Sequence, residues 1–280
     1  MRMHGRLLWA SVVTVTAFSA VAARAPDLTQ AQQEEFLRTA QIVGSRPAGE
    51  GITHTKRLTL TDGVLTHDAH LQQIDVYKPL YRAKDYVEKD FRDSYKYNIG
   101  AYRVAKMLGM KDTPVCVYRV VDGKPSSVCW WIDGVQFDEK TRRDKGAEPP
   151  DANRWSAQLN DIRDFDQLID NVDRTQENLL IDKDWNLWMI DHSRSFRLTN
   201  QLRKPQNLRR ISQSLLIGMR ALNELRVAAA TEPYLTKAEV HAMMIRRDLL
   251  VDFFKRQLTE KGEDAVYTDV PRKTPIVSIP

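Results

Sequence analysis

The chain has no Gly-x-Ser-x-Gly, no His-Glu-x-x-His and no Walker-type glycine-lysine loop. The nucleophile elbow of the α/β-hydrolases, the zinc-protease helix and the P-loop therefore have no local support. No internal repeat or low-complexity segment is present, and beyond residue 22 no run is long and apolar enough to cross a bilayer. The basic stretch Arg203, Lys204, Arg209, Arg210 lacks the interleaved aromatics that stack on single-stranded nucleic acid. It reads as a solvated helix start, and no nucleic-acid partner is expected. Only two cysteines occur, so a disulfide-dense scaffold is excluded.

What is present suits a folded protein outside the cytoplasm. At 280 residues and 42% hydrophobic content, the chain can bury one sizeable core or two small lobes. Arg2, His4 and Arg6 precede the apolar run from Leu7 to Ala20, and Ala20-Val21-Ala22 follows, the three parts of a secretory signal peptide. Cleavage near Ala22 would remove Arg2 and Arg6, leaving the +5 chain near +3. A secreted or periplasmic protein without a stable transmembrane segment is expected. Strand-like runs from Val115 to Val121 and from Ser126 to Ile132 flank Asp122-Gly123, a hairpin signal. A two-residue turn places Cys116 opposite Cys129, close enough for a disulfide, whereas a bulged turn would shift the register and separate them.

Along the chain, a polar helix from Thr29 to Val43 opens on a capping box, Thr29-x-x-Gln32, and ends at Gly44 and Pro47. Short strands follow, Gly51 to Leu60 and Ala69 to Tyr77, with a turn at Asp62-Gly63. A helix from about Arg92 to Leu108 presents Ile99, Tyr102, Ala105 and Leu108 on one face before Gly109. After the cysteine hairpin, the charged stretch from Asp138 to Pro150 reads as a linker. Amphipathic helices are expected from Trp155 to Ile169, Leu208 to Val227 and Thr236 to Lys261, the last opened by a second capping box, Thr236-x-x-Glu239. Strands with one helix followed by mostly helix describe an α+β protein of two lobes.

The chemistry concentrates between residues 173 and 193. Asp173 and Asn178 lie five apart across a loop, and Asp191 follows thirteen residues later, directly after the apolar run Leu187 to Ile190. A hairpin would bring all three together. Phosphoryl transfer of the kinase type needs such a set: one carboxylate for the proton of the attacking hydroxyl, and an asparagine with a second carboxylate for magnesium against a triphosphate. Oxygen ligands suit that hard cation. Read separately, the same residues would be an ordinary hairpin turn with solvated ends. His67-Asp68-Ala69-His70, with His54, fits no strong metal template and reads as a surface hairpin. His192 suits either a site-orienting group or a core histidine. Arg174, Arg194 and Arg197 suit either phosphate neutralisation or ion pairs with Asp166 or Asp170.

A small strand-rich lobe, a connector and a helical lobe carrying Asp-x4-Asn and a later Asp resemble the protein-kinase-like superfamily in its atypical branches. Asp173-Arg174 with Asn178, then Ile190-Asp191, is similar to the Asp-Arg-His-x-x-Asn and Asp-Phe-Gly elements of phosphatidylinositol 3- and 4-kinases. The secreted kinases of the Golgi casein-kinase type and bacterial toxin kinases share this general plan. The resemblance implies a bilobal kinase-like fold: an N-terminal helix and linker over 23–50, an N-lobe over 51–135, a connector over 136–152, a C-lobe over 153–265 and a tail over 266–280. It makes Asp173 the catalytic base, gives the metal to Asn178 and Asp191, and puts Lys78 at the nucleotide's phosphates. Trp130 to Gly134 becomes the hinge that holds adenine. ATP or another nucleotide with magnesium or manganese would be the cofactors, and a hydroxyl of a protein, lipid or small molecule the acceptor. Departures are visible: Asn98 stands where the helix glutamate belongs, with Glu88 or Asp93 as substitutes if the helix is placed differently, no glycine-rich loop precedes Lys78, Thr175 replaces the motif histidine, and Ser193 replaces the metal-motif glycine. A catalytically inactive, pseudokinase-like binding module with an envelope-protein partner is the alternative these imply.

Overall fold

The computed structural model describes residues 28–48, 55–83 and 87–269. The expected signal peptide, His54, the first residues of the strand expected from Gly51 and most of the expected tail lie outside them. Helix α1 (Gln30–Thr39) opens on the Thr29/Gln32 capping box, with side chain and backbone bonded reciprocally. It stops four residues short of the expected Val43. Gln41 to Pro47 instead form strand β1, because Gln41, Ile42 and the residues from Gly44 pair with the next strand around a bulge at Val43, a long-range partner that helical periodicity does not reveal.

Five strands make the main sheet, all antiparallel: β1, β2 (Lys56–Thr61), β3 (Thr66–Gln72), β7 (Lys124–Trp130) and β6 (Cys116–Val121), in that order. Strand alternation gives the sheet two faces. Leu58, Leu60, Ala69, Leu71, Val117 and Val128 form the outer face, covered by α1, whose Phe36 meets Trp130 at 5.7 Å. Arg57, Thr59, Asp68, His70, Gln72 and Ser127 form the inner face. Helix α2 (Tyr95–Met107) packs on that side, starting at the Ser94 cap and ending before Gly109 at φ 74°.

Between β3 and α2 lies a second, two-stranded sheet, the hairpin of β4 (Asp75–Arg82) and β5 (Val87–Ser94). The expected single strand from Ala69 to Tyr77 is thus two strands, broken at Gln73-Ile74. Pro79 is accommodated because β4 has a hydrogen-bonded partner on one side only.

The C-terminal half is mainly helical. Strand β8 (Val135–Asp138) and helix α3 (Glu139–Asp144) occupy the expected linker. Glu139 is buried there and held by Arg142 and Arg143 at 2.7 Å each, a local ion-pair knot that composition alone reads as solvated charge. Helix α4 (Ala152–Ile169) leads to the hairpin β9 (Leu179–Asp182) and β10 (Leu187–Met189), which with β8 makes a three-stranded sheet in the order β10-β9-β8. The helix expected from Leu208 to Val227 is two: α5 (Gln213–Ala221) and α6 (Glu224–Thr231), separated where Leu222 turns extended and Asn223 caps the second. Helix α7 (Lys237–Lys261) carries the Thr236/Glu239 capping box, and the short α8 (Glu263–Val266) follows. Phe165, Phe196, Leu216, Met243 and Phe254 centre this core at zero exposure. No helix of the described residues is long and apolar enough to cross a membrane.

The cysteines pair. Asp122 and Gly123 both take positive φ, 52° and 73°, the mark of a two-residue type I′ turn, so Cys116 faces Cys129 and the two are joined with their Cα atoms 4.0 Å apart. Mass spectrometry of the unreduced protein is expected to show no free thiol. Replacing both cysteines by serine is expected to lower stability by about 3 kcal/mol, read as a lower unfolding midpoint.

Candidate functional site

The loop from α4 to β9 is shaped by its own polar groups. Helix α4 ends at Asp170 in the left-handed region, φ 48°, and the Asn171 side chain accepts the Asp173 amide at 3.0 Å. Arg174 then points inward. Its Nε and Nη2 grip Asp166 of α4 at 3.0 and 3.1 Å, and its Nη1 donates to the carbonyls of Asn178 and Ile190 at 3.0 and 2.6 Å. One guanidinium thus ties the helix, the loop and the residue preceding Asp191. Asn178 Nδ2 closes the loop on the Asp173 carbonyl at 3.2 Å, and the Ile190 amide donates to the Asn178 carbonyl at 3.1 Å. Asp173, Asn178 and Asp191 are brought together by this hairpin.

Asp191 adopts φ 52°, an uncommon conformation for a residue with a side chain and one that concentrates at functional sites. The residues after it dock on α2: the His192 amide donates to Asn98 Oδ1 at 2.8 Å, and the Ser94 amide donates to the Ser193 carbonyl at 2.9 Å. Asn98 also donates to Gln72 of β3. Through a neutral amide, then, the helix links the third strand to the Asp191 segment. His192 is a core residue: burial holds its imidazole well below its ordinary pKa, and its ring meets Phe165 edge-on at 6.2 Å.

Negative charge accumulates here. Burial raises the Asp173 carboxyl above its usual range, opposed by Arg194 and reinforced by Asp191 and Glu88. Asp93, at the end of β5, is buried, with Oδ1 lacking a hydrogen-bond partner among the described residues. Its carboxyl is likewise raised by burial, then by Asp191 and Asp173, while Ser193 and Arg194 oppose the shift. From the sequence Asp93 stands only as a stand-in for the helix glutamate; the hairpin fold carries it instead to this acidic group. Carboxylates repelling one another beside an amide oxygen suit a divalent hard cation. No three or more His, Cys, Asp or Glu side chains among the described residues are close enough to cage a metal by themselves. A cation would rest on Asn178 and Asp191 and complete its shell with phosphate and water, as magnesium commonly does.

The expected phosphate-binding lysine requires correction. Lys78 is exposed on the β4–β5 hairpin, with its ammonium 4.9 Å from the centre of the Tyr81 ring, and forms no ion pair among the described residues. The lysine of the kinase arrangement belongs to the third strand of the sheet, facing the helix. Here that strand is β3, which carries no lysine, and its residue bonded to the helix is Gln72, which accepts from Asn98. The His67-to-His70 segment is not a surface hairpin but the central strand. His67 is buried on the outer face, stacked on Trp130 at 3.8 Å and bonded to Asp133 at 2.7 Å. His70 points to the opposite face, so the two cannot share an ion. Residues 131–134 connect β7 to β8, joining the large sheet to the helical half. Arg57 lies 4.1 Å over the Trp131 ring, and the Trp131 amide donates to the Asp68 carbonyl at 3.2 Å.

Beside Asp173 opens a cavity of about 700 Å³ lined by Glu88, Arg92, Arg194, Arg197 and Arg203 among others. Glu88 alone answers two guanidiniums, Arg194 and Arg197, and Arg194 also approaches Asp173 at 3.8 Å. Arg203 pairs with buried Asp170 at 2.9 Å. Of the three arginines flanking the motif, Arg174 is thus a structural clamp and the other two line the cavity. Replacing Arg174 by methionine, which leaves Asp166 buried without its partner, is expected to cost about 3–5 kcal/mol in chemical denaturation. A loss below about 1 kcal/mol would contradict the clamp.

No family model matches the chain, and no curated protein matches it. Several solved structures do. The structure of hydra Fam20 with sugar superposes with a TM-score of 0.64 at 14% identity, over 87% of this chain and 93% of that one. The Golgi casein kinase superposes at 0.60 and 15% identity, over 88% and 79% of the two chains, and its Mn/ADP-bound structure at 0.60 and 13%, over 85% and 78%. The Helicobacter pylori proinflammatory kinase CtkA gives 0.51 at 8% identity, over 80% of this chain and 98% of that one. The chain has an α+β, atypical protein-kinase-like fold, with a strand-rich N-terminal part and a helical C-terminal part.

Proposed function

We infer that this protein is a kinase-like phosphotransferase of the cell exterior, binding a nucleotide with magnesium or manganese between its two halves and phosphorylating a hydroxyl acceptor. The observation carrying this reading is the Arg174-clamped hairpin, which sets Asp173, Asn178 and Asp191 side by side among under-neutralised carboxylates. Manganese and ADP in a structure of the same fold support the choice of cofactors. A bound divalent cation would supply positive charge against the phosphates. Asp173 would take the proton of the acceptor hydroxyl as its oxygen bonds to phosphorus and the bond to the leaving diphosphate breaks. The cavity beside Asp173 offers that hydroxyl an approach. Catalysis would rest on positioning and charge neutralisation, which phosphoryl transfer mainly requires. The disulfide and the signal-peptide-like pattern of Arg2 to Ala22 support an oxidising compartment, secreted or periplasmic. ATP is scarce there, so the donor would have to be supplied.

A second reading is favoured by one specific feature: neutral Asn98 and the absence of a lysine on β3, where a lysine–glutamate pair normally completes the site. On that reading the protein is a pseudokinase-like module that binds an envelope partner without turnover. Thermal unfolding with and without ATP and Mn²⁺ separates the possibilities, because a ligand of the folded state raises the midpoint. Wild type is expected to shift and Asp191→Ala is not; an unshifted wild type would contradict nucleotide binding. Label transfer from γ-labelled ATP to the protein itself or to a mixed peptide and sugar panel is expected in wild type. Asp173→Asn should lose at least about 10²-fold in rate while keeping the thermal shift. A wild type that shifts but transfers nothing supports the second reading. Since burial raises the Asp173 carboxyl, turnover should climb with pH through a value above the ordinary aspartate range, and Asp173→Asn should lose that limb.

A further inference from the structure

A second cavity, of about 500 Å³, is walled by the start of α1, the end of α2 with the loop after it, the connector after β7, and Trp188 of β10. That volume is in the range of small-molecule sites. None of Asp173, Asn178 and Asp191 lines it. Its framework is hydrogen-bonded on both sides. Gly109 turns the chain out of α2 at φ 74°, and the loop then accepts the Met189 amide on the Asp112 carbonyl at 2.7 Å and the Trp130 amide on the Val115 carbonyl at 2.8 Å. Elements of the strand-rich and helical halves therefore meet at this cavity.

Three tryptophans line it, and other contacts already fix each of them. Trp130 is stacked on His67 at 3.8 Å and meets Phe36 at 5.7 Å; Trp131 lies under the Arg57 guanidinium at 4.1 Å; Trp188 Nε1 donates to Asp182 at 3.0 Å. Rings held in place offer flat apolar area at little cost in side-chain entropy. Met110 beside them is unbranched and can adjust to an occupant. The polar groups of the wall divide into two kinds. Lys106 is paired with Glu34 at 2.7 Å, and Asp133 is bonded to His67 at 2.7 Å. Lys111 is exposed and makes no hydrogen bond or ion pair among the described residues. Thr113 is only 3% exposed, and its Oγ1 has no hydrogen-bond partner among them. One ammonium and one hydroxyl are thus left unanswered beside three indoles. A water molecule would satisfy the hydroxyl but leave the aromatic surface wet.

We propose that this cavity is a binding site for a planar aromatic carboxylate. The ring system packs against the tryptophans, and the carboxylate accepts from the Lys111 ammonium and the Thr113 hydroxyl. The indoles select a flat ring, and Lys111 selects the acid. The site is separate from the acidic hairpin and does not depend on phosphoryl transfer.

Calorimetric titration with 2-naphthoate tests it, against 2-naphthalenemethanol, which keeps the ring without the charge, and cyclohexanecarboxylate, which keeps the charge without the flat ring. Naphthoate is expected to bind once per chain and at least about tenfold tighter than either control. Lys111→Met should bring naphthoate down to the level of the neutral alcohol and leave the alcohol unchanged. Thr113→Val should weaken naphthoate about fivefold. Circular dichroism and the unfolding midpoint verify that both variants are folded, and exposed Lys111 carries the test if Thr113→Val is not. In nuclear magnetic resonance spectra, the indole N–H signals of Trp130, Trp131 and Trp188, assigned by single replacements with phenylalanine, should move on binding. Those of Trp155 and Trp185, which pair with each other at 5.8 Å outside the cavity, should stay. Absence of binding, unchanged affinity in either folded variant, or shifts confined to Trp155 and Trp185 would overturn the proposal. Competitive displacement of naphthoate by ATP would place it in a nucleotide site and overturn the proposal as well.

Discussion

Arg174 is the residue on which the geometry of the acidic hairpin depends. Its guanidinium and the Asp166 carboxylate are both about nine-tenths buried, and four donated bonds account for the pair and for two backbone carbonyls. Removing two charges from water is expensive, and the cost is offset only where geometry and further hydrogen bonds are nearly complete. Here they nearly are, because the carbonyls of Asn178 and Ile190 take two more of the five N–H donors. Any slip of the hairpin relative to α4 would break one of these bonds in a site that water does not enter freely. The separation of Asp173 from Asp191 is thus held by helix, loop and strand together, on rigid elements instead of on the loop alone.

The same economy of contacts joins the two halves of the molecule. Buried Glu239 of α7 accepts from Tyr97 of α2 at 2.6 Å and from Arg92 of β5 at 3.3 Å. Arg246 of α7, with no exposure at all, donates to the carbonyls of Leu168, Arg197 and Thr199 and so holds the segment beyond Asp191 against the end of α4. Helix α2 is therefore fixed from below by α7 and from above by the sheet, with Asn98 between. A kinase in which a charged pair must form has a switch at this place; a neutral Gln72–Asn98–His192 chain has no charge to break and favours one fixed arrangement. The accumulated charge of Asp93, Asp173 and Asp191 is the unrelieved element, and it is the part of the site that a cation would relax.

Much of this was legible in the residues. Both capping boxes, the Asp122-Gly123 turn with its cysteine register, the end of α2 and the Asp173-to-Asp191 hairpin all follow from local rules that tertiary structure left intact. What escaped depends on partners distant in sequence. β1 is a strand only because β2 lies beside it, and Glu139 is buried only because two arginines enclose it. Lys78 and His70 illustrate the point most directly. Both are cationic or potentially so, and both lie a few residues before the helix. Which one lies on the inner face of the main sheet is decided by the break at Gln73-Ile74, which hands the lysine to a separate hairpin and leaves the histidine in the central strand. Asp93 is hidden in the same way, as an ordinary carboxylate of a charged run until β5 delivers it to the cluster.

Manganese anomalous scattering from crystals grown with Mn²⁺ and ADP addresses the central claim most directly. A peak between the side chains of Asn178 and Asp191, with the diphosphate running toward the inner face of the sheet, is the predicted result. A peak away from both residues, or a nucleotide bound with no metal at the Arg174-held hairpin, would contradict it.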